Sequence, residues 1–113
     1  MPQPIPLSDL ALGPTAFLYE GRERGAEISF FLTNTPPGMG PGLHVHPYTE
    51  TFLVIEGEGT FTVGEEQVVV PEGHVVFVPP ETPHGFKNRT ESVLRVIGIH
   101  DAGEVTQTWL EDD

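Results

Sequence analysis

The sequence predicts an all-β domain built as a sandwich or barrel. Thirteen glycines and twelve prolines interrupt the 113-residue chain every few residues, and no long stretch repeats apolar residues at the spacing of a helix face. Short apolar segments lie between these breaks, a pattern typical of β-sandwiches and barrels. A chain of this length can bury one hydrophobic core but not two, so we expect a single domain over residues 1–113.

The strand predictions follow from alternating apolar residues and from the glycine and proline breaks between them. Residues 1–13 are predicted to form an extended, proline-rich arm. About ten strands are expected in all. They cover residues 15–20, 27–35, 60–63, 67–70, 75–78, 84–88, 93–100 and 105–110, with two more within 38–57.

The strand at 27–35 has an aromatic residue on each face, Phe30 on one and Phe31 on the other. We therefore expect both of its faces to be covered. Together with the N-terminal arm, this predicts a homodimer formed by sheet extension or arm exchange.

The composition excludes several classes of function. Seventeen acidic residues against five basic ones give a formal charge of −12, whereas nucleic-acid binders need a basic surface to neutralise phosphates, so we expect no DNA or RNA binding. No cysteine is present, which excludes disulfides and thiolate ligands. No apolar run reaches membrane-spanning length, and the N-terminus lacks the features of a signal peptide. We therefore expect a cytoplasmic protein without a membrane partner.

The segment 38–57 carries the most specific chemical pattern. His44 and His46 are two residues apart, so on a strand their side chains point to the same face. Pro47 cannot donate to a sheet ladder and should end that strand, and the following turn places Glu50 near the start of the next one. Two imidazoles and a carboxylate then converge, and these are ligands that divalent transition metals prefer.

A fourth candidate ligand lies in the segment 73–88. Pro83 fixes the turn before His84, which leaves this histidine at the first position of a strand.

The spacing of these residues resembles the first motif of the cupin superfamily. Five residues separate Gly38 from His44, one separates His44 from His46, three separate His46 from Glu50, and six separate Glu50 from Gly57. This is the complete motif.

The segment 73–88 is similar to the second cupin motif. Five residues separate Gly73 from Pro79, two separate Glu81 from His84, and three separate His84 from Asn88. The family pattern has glycine where this chain has Glu81, in a turn where glycine eases a tight backbone conformation. Asn88 matches a motif asparagine whose role in the family is structural.

The two motifs and their fifteen-residue spacer, 58–72, are typical of small bacterial single-domain cupins of the cupin 2 type. The resemblance implies a double-stranded β-helix, or jelly roll, which agrees with the expected number of strands. It also implies a site for one divalent transition metal in the barrel, with His44, His46, Glu50 and His84 as its ligands.

Further residues are candidates for roles around the ion. Phe52, Val54 and Phe86 share a face with the ligands and are candidates to line a pocket. For Phe52 and Phe86 the alternative is a place in the ordinary core. A pocket lined in this way favours a small, partly hydrophobic or aromatic ligand. His100 ends the last core strand and Tyr48 lies between two ligands. Both are candidate catalytic acids or bases, unless His100 faces solvent and Tyr48 is an ordinary turn residue.

Three imidazoles and one carboxylate would leave about two positions of a six-coordinate iron, manganese or nickel ion for a ligand, which favours these metals over zinc. The first hypothesis is a metal-dependent oxidoreductase of dioxygenase type, as in many small cupins. One alternative is an isomerase or decarboxylase of a small oxygenated acid or sugar. Another is a non-catalytic binding module, although the sequence lacks the DNA-binding helix pair of cupin sensors. A third is a structural dimerisation unit. Because one fold supports many chemistries, the motifs do not determine the reaction.

Overall fold

Ten β-strands form nearly all the regular structure of the computed structural model, which describes residues 2–111. The strands are β1 (Ala16–Glu20), β2 (Ser29–Thr35), β3 (His44–Val45), β4 (Glu50–Glu56), β5 (Glu58–Val63), β6 (Glu66–Pro71), β7 (Val75–Val78), β8 (His84–Lys87), β9 (Leu94–His100) and β10 (Thr108–Trp109). Two short 3-10 helices occupy Leu7–Leu10 and Gly21–Arg24. Within residues 2–111, no helix has the length and apolar character needed to cross a lipid bilayer.

The strands form two antiparallel five-stranded sheets packed face to face. One sheet has the order β1-β2-β9-β4-β7 and the other β10-β3-β8-β5-β6. Neighbours in a sheet are mostly distant in sequence, because the chain passes from one sheet to the other at every connection except β1–β2 and β5–β6. This is the double-stranded β-helix that the sequence predicts.

The hydrophobic core lies between the sheets. In β9 the residues Leu94, Val96, Gly98 and His100 are buried while those between them are half-buried, as period-two alternation requires. The core combines side chains of both sheets, namely Phe52, Val54, Val78, Leu94 and Val96 from the first and Phe61, Val70 and Phe86 from the second.

The N-terminal segment differs from the prediction of an extended arm. Residues Leu7–Leu10 form a 3-10 helix, and the following residues turn back onto β1. The Leu12 amide donates to the Ala16 carbonyl at 2.8 Å, and Ala11 forms a β-bridge with Phe17. Prolines set φ but do not prevent a helical turn after them, so the sequence pattern did not distinguish the two conformations.

The two aromatic residues of β2 have different surroundings. Phe30 stacks on Tyr19 of the neighbouring strand, with ring centroids 5.1 Å apart. Phe31, on the opposite face, lines a cavity between the sheets. Both faces of β2 are therefore partly covered by the chain itself.

Candidate metal centre

Four side chains that can bind a metal meet between the sheets. His44 lies in β3, His46 directly follows it, Glu50 begins β4 and His84 begins β8. Their candidate ligand atoms all lie within 4.8 Å of one another, and all four residues are buried. His44 and His84 are directly opposite each other in the β3–β8 pair. The two motifs of the sequence therefore supply one compact cluster.

Main-chain carbonyl oxygens orient the three histidine rings. The Nδ1 atom of each ring lies close to one such oxygen, in the pairs His44–Gly42 at 2.8 Å, His46–Thr106 at 2.9 Å and His84–Thr82 at 2.9 Å. A carbonyl oxygen only accepts hydrogen bonds, so Nδ1 carries the proton and the neutral ring keeps its lone pair on Nε2. Histidines that bind metals are commonly oriented in this way.

The Oε1 atom of Glu50 lies 2.9 Å from His46 Nε2 and 3.0 Å from His84 Nε2. Burial alone would raise the pKa of Glu50, but its close contacts with His100, His46 and His84 outweigh burial and hold the pKa well below its usual range. With Nδ1 already protonated, a neutral ring has no proton on Nε2. Such short contacts with a carboxylate therefore require positive charge at the centre, from added protons or from a metal ion.

The ring of His44 is kept in its neutral form. Burial lowers its pKa from 6.5 to about 4, so at neutral pH its Nε2 has a free lone pair. Metal ions bind neutral imidazole, and this ligand therefore needs no deprotonation before binding.

A cavity of about 250 Å³ adjoins the cluster. His44, Glu50 and His100 contribute to one wall, and the other walls include Phe31, Thr33, Phe52, Phe86, Gln107 and Trp109. Two of the three predicted pocket residues, Phe52 and Phe86, are therefore at the cavity. Val54 is not, because it lies one inward-facing position further along β4, where it is fully buried in the core.

His100 and Tyr48 both belong to the surroundings of the cluster. His100 is 1% exposed, lines the cavity, and has its Nε2 atom 3.0 Å from Glu50 Oε2. The Tyr48 hydroxyl lies 2.7 Å from His100 Nδ1, and the Tyr48 ring stacks on His46 with centroids 5.1 Å apart. His100 therefore does not face solvent, and Tyr48 contacts the cluster without lining the cavity.

Gly98 and Thr106 are among the residues near the cluster that the sequence prediction did not include. Gly98 faces Glu50, and a Cβ atom at Gly98 would collide with Glu50 Oε2. A glycine inside an apolar strand is a signal of such close approach. Thr106 acts through its main-chain amide and carbonyl, and no side-chain pattern could have identified it.

Residues 31–100 match the family model of the cupin domain. The chain belongs to the cupin family. The matched region contains all four residues of the cluster, and residues 101–111, including Thr106, lie beyond it.

One known protein is similar in sequence to this cupin over part of its length. Uncharacterized protein MJ1618 of Methanocaldococcus jannaschii is 32% identical over 76 residues, which are 66% of this chain and 60% of that protein. This cupin therefore corresponds to less than two thirds of that relative.

Solved structures have the same fold at low sequence identity. A Klebsiella pneumoniae protein with a double-stranded beta-helix domain superposes with a TM-score of 0.70 at 22% identity, covering 76% of each chain. Bacillus subtilis oxalate decarboxylase at pH 4.6 gives 0.82 at 20% identity, covering 92% of this chain and 30% of that chain. Another structure of that enzyme, from work on its Mn(II) centers, gives 0.76 at 21% identity, with coverages of 84% and 27%. At these identities the similarity establishes the fold alone.

Proposed function

We propose that this cupin binds one divalent transition metal through His44, His46, Glu50 and His84 and uses it on a small organic ligand in the adjoining cavity. The observation that carries the proposal is the shared orientation of the three histidines. Each donates Nδ1–H to a carbonyl oxygen and leaves its Nε2 lone pair available within a buried cluster. The carboxylate of Glu50 supplies the negative charge that such an ion requires.

Four protein ligands favour iron, manganese or nickel over zinc, because about two positions remain for other ligands on a six-coordinate ion. When bound, such a metal would supply Lewis-acid or redox chemistry to a ligand oxygen. The protein contributes fixed ligand orientation and a largely apolar cavity that limits the access of water.

The cavity favours a ligand of about one ring in size. Its volume of about 250 Å³ is below the range of roughly 300–1,000 Å³ typical of pockets for drug-sized molecules. Phe31, Phe52, Phe86 and Trp109 provide aromatic walls. The hydroxyl of Thr33, a residue of the cavity wall, is buried without a hydrogen-bond partner among the described residues.

The charge of the cavity also constrains the ligand. Among the described residues that line it, none is lysine or arginine, so no protein cation there would balance a second carboxylate. We infer an uncharged or singly charged ligand with an apolar or aromatic body. This favours the oxidoreductase of dioxygenase type over a decarboxylase of small diacids.

A decarboxylase or isomerase is the second candidate, favoured by the similarity of fold to oxalate decarboxylase. The third is a non-catalytic binding module, which would need the same cluster and cavity. Oxygen uptake by the metal-loaded protein with small hydroxylated aromatic acids would support the first candidate. Carbon dioxide release from oxalate without oxygen uptake would support the second, and saturable ligand binding without turnover would support the third.

Metal analysis of untagged protein, purified without chelators, tests the site itself. We expect about one iron, manganese or nickel ion per chain, lost in His46→Ala. The control is His74→Ala, because His74 is exposed and, within residues 2–111, its ring forms a hydrogen bond with the Glu72 carbonyl rather than with the cluster. Failure of wild-type protein to take up metal on titration would contradict the proposal, and so would equal metal content in the two variants.

We also propose that this cupin forms a homodimer through the outer face of the sheet β1-β2-β9-β4-β7. Leu53, Ile97 and Ile99 point to that face, and next to them Val75 and Phe77 are 61% and 62% exposed. Exposed apolar residues grouped on one sheet face are typical of protein interfaces. Light scattering should give twice the chain mass of 12.4 kDa, and Phe77→Asp should yield monomers. A wild-type monomer at micromolar concentration would contradict the dimer.

The cytoplasmic location stays a prediction.

A further inference from the structure

His100 contacts the same carboxylate as His46 and His84, but its Nδ1 atom has a different kind of partner. In His44, His46 and His84, Nδ1 donates to a main-chain carbonyl and Nε2 faces the cluster. In His100, Nδ1 faces the Tyr48 hydroxyl at 2.7 Å instead. The proton between Tyr48 and His100 lies either on the Tyr48 hydroxyl or on His100 Nδ1. Its position determines whether the Nε2 atom that faces Glu50 is protonated.

The main-chain amide of Thr106 is one of two hydrogen-bond partners of the Tyr48 hydroxyl, and the other is His100 Nδ1. This amide donates to the Tyr48 hydroxyl oxygen at 3.1 Å, and we assign the single hydroxyl proton of Tyr48 to its other close contact, His100 Nδ1 at 2.7 Å. His100 Nδ1 is therefore an acceptor, and the neutral ring carries its proton on Nε2.

The protonated Nε2 of His100 faces the second oxygen of Glu50. The two atoms, His100 Nε2 and Glu50 Oε2, are 3.0 Å apart, although the contact does not have the geometry of a hydrogen bond. Gly98 provides the space for this oxygen, because a side chain there would collide with it. Glu50 Oε1 in turn faces His46 and His84. The two carboxylate oxygens thus have different surroundings.

We propose that Tyr48 and His100 are positioning residues that hold Glu50 Oε2 and leave Oε1 for the metal. The inference rests on the proposed metal-binding function. It also assigns a role to Thr106, which lies beyond the region matched to the family. Its amide donates to the Tyr48 hydroxyl, and its carbonyl accepts a hydrogen bond from His46 Nδ1. This short C-terminal segment therefore orients two of the four ligands.

Manganese(II) binding and electron paramagnetic resonance test the role in the full-length protein. We expect His100→Leu and Tyr48→Phe to weaken manganese affinity about 10- to 100-fold, as loss of a group that orients a ligand typically does. Both should alter the manganese spectrum while one ion per chain still binds at saturation. His100→Gln should retain most of the affinity and the spectrum, because its side-chain amide can donate to Glu50 Oε2.

The matched control is Tyr19→Phe, which removes the same hydroxyl from a tyrosine that stacks on Phe30 away from the cluster. We expect wild-type affinity and spectrum from it. Wild-type behaviour of His100→Leu would overturn the positioning role, and so would equal losses in His100→Gln and His100→Leu, since packing alone would explain them. If wild-type protein itself bound no manganese, the metal-binding function would fail and this inference with it.

The proton assignment can be tested by nuclear magnetic resonance of ¹⁵N-labelled, zinc-loaded protein. We expect the His100 ring to be protonated on Nε2, and the rings of His44, His46 and His84 to be protonated on Nδ1. A His100 ring protonated on Nδ1 would overturn the inference even if metal binding were normal.

Discussion

The space between the two sheets has an apolar end and a polar end that are equally well buried but held together differently. The apolar end consists of Val54, Phe61, Val70, Leu94 and Val96. The polar end consists of His44, His46, Glu50, His84 and His100. Leu94 is 0% exposed and Glu50 only 3%. Burial stabilises the first set through the removal of apolar surface from water, whereas it costs free energy in the second unless each polar atom has a partner.

The two ends therefore depend on different features of the sequence. Any side chain of suitable size and apolar character can fill the first, and strand alternation is enough to place it. The second needs individual atoms at defined distances, and much of that placement comes from main-chain carbonyls in turns and in the C-terminal segment. Mutations at the two ends should separate stability from metal binding.

The largest expected loss of stability comes from Phe61→Ala at the apolar end. Phe61 is 1% exposed and contacts the rings of Phe52 and Phe86, both at 5.0 Å between centroids. We expect the free energy of unfolding to fall by about 3–5 kcal/mol, measured by denaturant unfolding. Metal content should remain at the wild-type level under native conditions.

The control for this variant is Val68→Ala in the adjoining β6. Val68 is 44% exposed, so its truncation should change the unfolding free energy by less than about 0.5 kcal/mol. Loss of metal from a folded Phe61→Ala protein would show that the two ends are not separable.

Gly98→Ala should affect both ends, because Gly98 lies where they meet. An added Cβ would collide with Glu50 Oε2 and lie 3.1 Å from the Phe52 ring. We expect a loss of about 1–3 kcal/mol in unfolding free energy from overpacking, and a weaker affinity for metal because the carboxylate is displaced. Denaturant unfolding and metal titration measure the two effects.

Gly13→Ala is the matched control, since a Cβ there would meet nothing within 4 Å. It should leave metal affinity unchanged. If Gly98→Ala destabilised the protein but bound metal normally, the space beside Glu50 would not be needed for the site.

The sequence predicted the apolar end and the polar end in different degrees of detail. Alternation correctly placed β7 at Val75–Val78, and motif spacing brought all four candidate ligands together. Alternation specifies the face of a strand but not the depth along it, and for this reason Val54 was wrongly placed at the pocket. Asn88, expected from the motif to be structural, is fully buried and donates to the carbonyls of Thr35 and Ser92.

The hydrogen bonds that orient the polar end could not be predicted. They involve main-chain atoms of Gly42, Thr82 and Thr106, and every residue type except proline offers the same amide and carbonyl. Their placement depends on how the turns fold, and in the case of Thr106 on a segment sixty residues away from His46.

The smallest expected effect is a gain in stability from Glu81→Gly, in the turn that supports the polar end. Glu81 has a φ of 59°, a left-handed conformation that costs a residue with a Cβ about 1–2 kcal/mol. Glycine relieves that strain but adds freedom to the unfolded chain. We therefore expect a net gain of about 0.5–1 kcal/mol in unfolding free energy.

The control Glu81→Ala removes the charge but keeps the Cβ, so it should give no such gain. The contact of this turn with the ligand region is the hydrogen bond from the Glu81 amide to the His46 carbonyl at 2.8 Å, which is main chain and present in all three proteins. Metal affinity should accordingly be the same in wild type and both variants. A stability gain in Glu81→Ala equal to that in Glu81→Gly would attribute the effect to the exposed charge of this acidic protein rather than to backbone strain.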